Sequence, residues 1–198
     1  METGDLLAPG AAQASVRLAR PGDAAAIGAV QLRCWRREYA DVLPAEVLDR
    51  LPVEEFAARW HAAVVTPGST RHAVLVACAG SAVVGFAALA PSPDADATPA
   101  DAELVALEVD PAHQRGGHGS RLLAAAADAA DERGFTALRV WVRRGDDARL
   151  AFLTSAGPRP DGALRRLRPT SPGSPGGPVA ELVEDRLVAG LRPHSADG

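Results

Sequence analysis

Apolar and polar positions change their period several times along this chain. Residues 15–20 (SVRLAR) alternate, as a strand with one buried face does. After Pro21-Gly22-Asp23 the period becomes helical: Ile27, Val30 and Cys34 recur at three to four residues, with Trp35 and Tyr39 four apart beside them. Asp23 is placed to cap that helix and Pro44 to end or bend it. A second helical stretch starts near Pro52, where Phe56, Trp60 and Val64 repeat every four residues until TPGST (66–70) breaks it. Residues 72–80 and 81–90 read as a hairpin turning at Ala79-Gly80, and the acidic stretch 91–101 links it to a strand at 102–110. A glycine-rich turn follows, then a helix over 120–133 with Leu122, Leu123, Ala126 and Ala130 on one side and Arg133-Gly134 as its stop. A strand at 136–142, a short helix at 146–157 and strands at 163–168 and 179–189, on either side of PTSPGSPGGP, complete the pattern. Residues 1–14 have no period and are expected to be disordered, 15–190 to form one domain and 191–198 a flexible tail. This order predicts a mixed α/β sheet with helices packed on it, neither a plain dinucleotide-binding fold nor a helical bundle.

Composition narrows the class. Hydrophobic residues make up 47% and charged residues 23% of the 198, the balance of a globular domain with its own core. No apolar run approaches the roughly 18 residues of a membrane span, and no basic segment precedes an apolar one, so a cytoplasmic location away from membranes is expected. A net charge of −4 argues against nucleic acid as a partner. Cys34 and Cys78 have neither metal nor redox spacing and are expected to be reduced core residues. All 21 basic residues are arginine, which excludes chemistry that needs a lysine.

The chemistry concentrates in HQRGGHGSRLL (113–123). Gly116, Gly117 and Gly119 cost chain entropy, so a bare backbone is needed there, and a run of amides at a helix N-terminus suits an anion. A triphosphate-binding loop requires Gly-Lys, and the chain has no lysine. A dinucleotide fingerprint fails because its third glycine position is Leu122. Asp110, His113 and His118 match no standard metal spacing, and no metal is expected. The pattern Q/R-x-x-G-x-G/A is met by Gln114-Arg115-Gly116-Gly117-His118-Gly119.

That loop and the blocks around it resemble the GNAT family of N-acetyltransferases, over roughly residues 15–190. ALEVDPAHQRGGHGSRLL is similar to the family's strand-loop-helix core, VWVRRGDDARLAFLTSAG to its next strand and helix, and WRREYADVLP to the first helix of many members. The resemblance implies a central, mostly antiparallel sheet flanked by helices, acetyl-CoA as donor, and a small-molecule or peptide amine as acceptor, attacking directly in a ternary complex. It implies that Gln114, Arg115, Gly116, Gly117, His118, Gly119 and Ser120 hold the pyrophosphate. Main-chain groups of Leu107 and Val109 would pair with the pantetheine arm, the Val109 amide would stabilise the oxyanion, and Asp146 stands at the family's usual asparagine.

Trp35 and Tyr39 are implied as walls of the acceptor pocket. Glu103 is the first candidate for the base and Glu108 the second, with Asp101 a weaker third. Residues five apart on a strand face opposite sides unless a bulge intervenes, so without one only Glu103 or Glu108 can face the acceptor. The chain departs from the family at the leaving-group acid: Leu153 stands where a tyrosine is usual, and Pro158 follows the glycine in place of an aromatic. Water, Thr154, Ser155 or Tyr39 are the substitutes. Two other readings stay open, a catalytically weak acyl-CoA-binding sensor and a transferase of longer acyl groups. The two late strands either complete the sheet or meet a second copy of the chain.

Overall fold

Three apolar runs in succession make the centre of the sheet. The computed structural model describes residues 14–40, 44–167 and 181–191. The strands are β1 (Ala14–Leu18), β2 (Ala73–Ala79), β3 (Ala82–Pro91), β4 (Asp101–Val109), β5 (Ala137–Arg143), β6 (Arg159–Leu167) and β7 (Leu182–Gly190), and they lie in the order β1-β2-β3-β4-β5-β7-β6. Every neighbouring pair is antiparallel except β4 and β5. The helices are α1 (Ala24–Glu38), α2 (Ala45–Asp49), α3 (Val53–Val65), α4 (His118–Glu132) and α5 (Asp147–Ser155). This is the mixed, mostly antiparallel architecture expected from the sequence, and the two late strands pair within the chain. No described helix is long and apolar enough to cross a membrane.

The helices cover both faces. On one, Ile27, Val30 and Cys34 of α1 pack against Val76, Phe86, Ala88 and Ala106. Alpha-1 and α3 cross so closely that a Cβ on Gly28 would stand 2.7 Å from the Ala57 nitrogen, which reserves that position for glycine. On the other face, Leu122, Leu123, Ala126 and Ala130 of α4 and Leu153 of α5 meet Leu75, Ala87, Leu104, Leu107 and Val140. The alternation and the helical spacings thus mark the buried residues, and both cysteines are buried and free.

Several local expectations are corrected. Ala79 pairs with Ala82, so the hairpin turns at Gly80-Ser81, one residue later than expected, with Gly80 at φ 60°. Asp23 makes no side-chain cap on α1; its carboxylate accepts from Arg17 at 2.6 and 2.9 Å and from the Arg20 amide at 2.7 Å. Pro44 heads α2, a helix too short for its period to stand out. Of the expected N-terminal segment, 1–13 lie outside the described residues and Ala14 already belongs to β1; the linker 169–178 and tail residues 192–198 also lie outside them.

The acidic stretch 91–101 is clamped to the sheet. Asp94 and Asp96 accept from Arg139 on β5 (3.3 and 2.7 Å) and from Arg186 on β7 (2.9 and 2.7 Å). Arg139 also reaches Asp101 at 2.9 Å, and Arg186 reaches Asp161 at 2.9 Å. Two buried guanidiniums on adjacent strands demand this many carboxylates, because an unpaired buried charge is strongly destabilising. Hydrogen bonds from Arg186 and then Arg139 hold the Asp96 carboxyl far below its ordinary value. At Asp101 and Asp161 burial pushes upward and is outweighed by donors, Thr98 and Arg139 at the first and Arg186 at the second.

Carboxyls lowered on folding add stability above their unfolded value of about pH 4 and lose it as pH falls through the folded one. Urea unfolding is therefore expected to show stability dropping below about pH 4. Arg139→Ala should cost about 3 kcal/mol at pH 7 and flatten that acid limb; an unchanged limb would mean that the aspartates are not coupled to Arg139.

Candidate active site

Beta-4 sets the site through one surplus residue. Opposite β3, Ala88 pairs with Ala106 but Leu89 pairs with Leu104, so Val105 is bulged out and 56% exposed. Alternation restarts after it. Ala102, Leu104 and Leu107 point towards α4, while Ala106 points into the α1 core. Glu103 and Glu108 consequently share the α1 side, although they are five residues apart. Among the described residues β4 pairs with β5 only from Asp101 to Glu103, opposite Ala137 to Arg139, and then the strands part. The Asp110 amide donates to Val84 O at 2.9 Å, which sets the phase of the β3 ladder. Leu107 and Val109 therefore turn their main-chain groups away from β3 and into the fork. The Val109 carbonyl accepts from Cys34 Sγ at 3.4 Å and from Gln114 Nε2 at 3.2 Å.

The glycine loop bounds the fork at its open end. Asp110 ends the strand by accepting from the Ala112 amide at 3.0 Å and from Arg33 at 2.9 and 2.6 Å. Arg115 (φ 65°) and Gly117 (φ 77°) are both left-handed, and the Arg121 amide donates to Gly117 O at 3.2 Å. The amides of residues 118–120 are thus first-turn donors with no helical acceptor behind them. A cleft of about 730 Å³ opens here. Of the residues expected to hold a cofactor, Leu107, Val109, Gln114, Arg115, Gly117, Gly119, Ser120 and Asp146 line it. Gly116 and His118 do not; the buried His118 ring sits against Gly116 beneath the loop, and burial, then Arg121 and His113, lowers its pKa. Asp146 accepts from the Arg149 amide at 3.0 Å and so caps α5. Asp110 faces Arg33, and among the described residues no three His, Cys, Asp or Glu side chains are gathered to hold a metal.

A second cavity, about 140 Å³, lies in the fork on the α1 side. Trp35 and Tyr39 line it together with Glu103 and Glu108, and the two rings meet edge to face at 5.6 Å. Asp101 lines neither cavity, being tied to Thr98 and Arg139. Glu108, Glu38, Arg143 and Arg149 border both cavities. The Glu108 carboxyl is pushed up to about 7, by burial first and then Glu38 and Asp146, against Arg149, whose guanidinium stands 3.7 Å away. Burial likewise raises Glu38, Glu103 and Tyr39, the last to about 12. Sequence reading missed Glu38, Arg149 and Arg143. Glu38 carried a usable signal, since it shares a helical turn with Trp35 and Tyr39.

Residues 30–157 match the model of the acetyltransferase (GNAT) family, well over half of the chain. The chain belongs to that family. An uncharacterized N-acetyltransferase of Bacillus subtilis strain 168, YuaI, is 30% identical over 128 residues, covering 65% of this chain and 70% of that one. The PaiA N-acetyltransferase of Thermoplasma acidophilum, solved in complex with coenzyme A, superposes with a TM-score of 0.69 at 18% identity, over 90% of this chain and 99% of that one. A ribosomal-protein-alanine N-acetyltransferase of Brucella melitensis superposes at 0.67 with 24% identity, over 89% and 99%.

Within this GNAT fold the family's tyrosine position is occupied in an unexpected way. Leu153 is fully buried in the α4-side core, and its neighbour Phe152 supplies the cleft wall. The Thr154 hydroxyl donates to Leu150 O and Ala151 O, and the Ser155 hydroxyl to Phe152 O, so both are spent on α5 itself. Restoring a tyrosine should therefore succeed at only one of two adjacent positions. Leu153→Tyr is expected to overpack the core at a cost of about 2 kcal/mol, whereas Phe152→Tyr should keep the wild-type melting temperature. Equal melting temperatures would contradict the helix phase described.

Proposed function

We propose that this GNAT protein transfers an acetyl group from acetyl-CoA to a primary amine of a small molecule or peptide, by direct attack in a ternary complex, with Glu108 as the general base. The observation that carries the reading is the position of Glu108 on the boundary of both cavities, so that one carboxylate faces a donor in the cleft and an acceptor in the fork. The residues present suit a coenzyme A: two left-handed residues bare the loop backbone, three first-turn amides lack acceptors, and the edge of β4 is open along the cleft. Acetyl-CoA supplies an activated acyl carbon and a thiolate leaving group.

The remaining tasks fall to side chains and backbone of this chain. Glu108, with a pKa near 7, removes a proton from the ammonium at neutral pH. Glu103 lies deeper in the fork and is assigned to acceptor binding. The Val109 amide, turned into the fork, offers a hydrogen bond to a developing oxyanion, and the main-chain groups of Leu107 and Val109 flank the pantetheine arm. Gln114, Arg115, Gly117, Gly119 and Ser120, with the first-turn amides of α4, hold the pyrophosphate, and Asp146 lines the cleft where the family has asparagine. Trp35 and Tyr39 wall the acceptor, and Tyr39, kept protonated by its burial, is the hydroxyl left to serve the thiolate. One observation favours a second reading, an acyl-CoA-binding module with little turnover: α5 offers the cleft no hydroxyl.

Thermal melting separates binding from chemistry. Acetyl-CoA at about 100 times its dissociation constant should stabilise the fold by roughly 2.7 kcal/mol, while NAD and ATP should not. Thiol release with an amine panel then divides the two readings. For the enzyme, kcat/KM should rise with pH through about 7, because the raised carboxyl must lose its proton to act. Glu108→Gln should lower kcat by about 100-fold or more, remove that limb, and leave acetyl-CoA affinity unchanged. A limb that survives in Glu108→Gln would reassign the base.

A further inference from the structure

On residues that line the fork cavity, Glu103 Oε2 and the Trp141 indole N–H have no hydrogen-bond partner among the described residues and are shielded from solvent. They come from adjacent strands. Glu103 pairs with Arg139 in the last step of the β4–β5 ladder, and Trp141 is the next residue of β5 on the same face. Arg165 stands 3.6 Å from the other carboxylate oxygen, Oε1, and 4.6 Å from the centre of the Trp141 ring, which leaves Oε2 and the indole nitrogen unspent. A buried acceptor and a buried donor left unmade on neighbouring strands are both costly, and a ligand group with one of each would satisfy them once the two side chains turn towards it.

Charge and size narrow that ligand. With Glu108 ionised, as a base must be, four carboxylates, Glu38, Glu103, Glu108 and Glu184, face three guanidiniums, Arg143, Arg149 and Arg165, so a single positive charge balances the lining. A free amino acid brings back the negative charge that its ammonium offsets. A diamine overshoots, and it offers no acceptor to the indole N–H while both nitrogens are protonated. The volume of about 140 Å³ is close to that of a cavity that holds one benzene ring, which is room for about six non-hydrogen atoms.

We propose that the acceptor is a short, singly charged primary amine carrying, a few bonds from its nitrogen, a neutral hydroxyl or carboxamide that is held between Glu103 and Trp141. This rests on the reading of the fork as the acceptor site and of Glu108 as its base.

The test is thiol release at saturating acetyl-CoA with ethanolamine, glycinamide, propylamine, glycine and ethylenediamine. Ethanolamine and glycinamide are expected to exceed the other three in kcat/KM by about tenfold or more. Trp141→Phe, which keeps an aromatic ring and removes the N–H, should raise KM for ethanolamine about tenfold with kcat nearly unchanged and leave propylamine unaffected. Glu103→Gln, a second variant of the same volume, also removes a charge that every ammonium meets, so it should weaken all the cationic amines and weaken ethanolamine and glycinamide the most. Propylamine, glycine or ethylenediamine as the best acceptor would overturn the proposal, and so would variants that affect every amine alike. Turnover of all five without preference would overturn it while leaving the transferase reading intact. Absence of thiol release from every amine would overturn both.

Discussion

The parting of β4 from β5 after three paired residues is the constraint on which the rest of the structure depends. Opening a ladder in the middle of a sheet leaves main-chain donors and acceptors without partners, and each is costly unless something else takes it. The chain meets this by satisfying both strands elsewhere. Beta-4 stays paired with β3 on both sides of the Val105 bulge, and β5 pairs along its whole length with β7. Within the gap, Cys34 and Gln114 both donate to the Val109 carbonyl. The fork is thus held open by pairing on its outer sides, with α4 beneath one prong, and a cleft and a cavity meet across the single strand that remains.

Electrostatics divides the face of the sheet beside α1 into two zones of opposite balance. Towards β6 and β7, Arg139 and Arg186 are surrounded by aspartates, and their hydrogen bonds prevail over burial and keep the carboxyls ionised. A few residues further into the fork, burial prevails instead, and Glu38, Glu103 and Glu108 are all raised. The same residue chemistry therefore performs two jobs, set by how many donors reach each carboxylate. The first zone fastens the β3–β4 connection to the sheet. The second keeps a carboxylate ready to exchange a proton near neutral pH.

Much of this was legible in the sequence wherever a period or a short-range pattern carries the information. Alternation marked the strands, the glycines marked the loop, and the four-residue spacing of Trp35 and Tyr39 placed both on one helical face. Long-range partners were not legible. Asp94 and Asp96 read only as part of an acidic connection between strands because the arginines they meet lie 43 to 92 residues further along the chain. Arg149 carried no signal of its own on a short helix, and only the fold brings it to Glu108. Motif spacing put Leu153 at the tyrosine position, but the phase of α5 decides which side chain meets the cleft, and it chose Phe152.

Val105 shows how little of this depends on one side chain. More than half exposed, it contributes by stepping out of the alternation, which lets Glu108 share the face that Glu103 occupies although the two are five residues apart. Its identity is free to drift. Its deletion would leave Glu103 and Glu108 four apart and still on one face, with the bulge drawn out into a regular ladder. One further residue taken into the ladder between Leu104 and Ala106 would instead turn the end of β4 over. Glu108 would then be driven among the leucines beneath α4, and Leu107 would face the fork. The handedness of the site is recorded in the parity of a residue count, which point substitutions cannot alter.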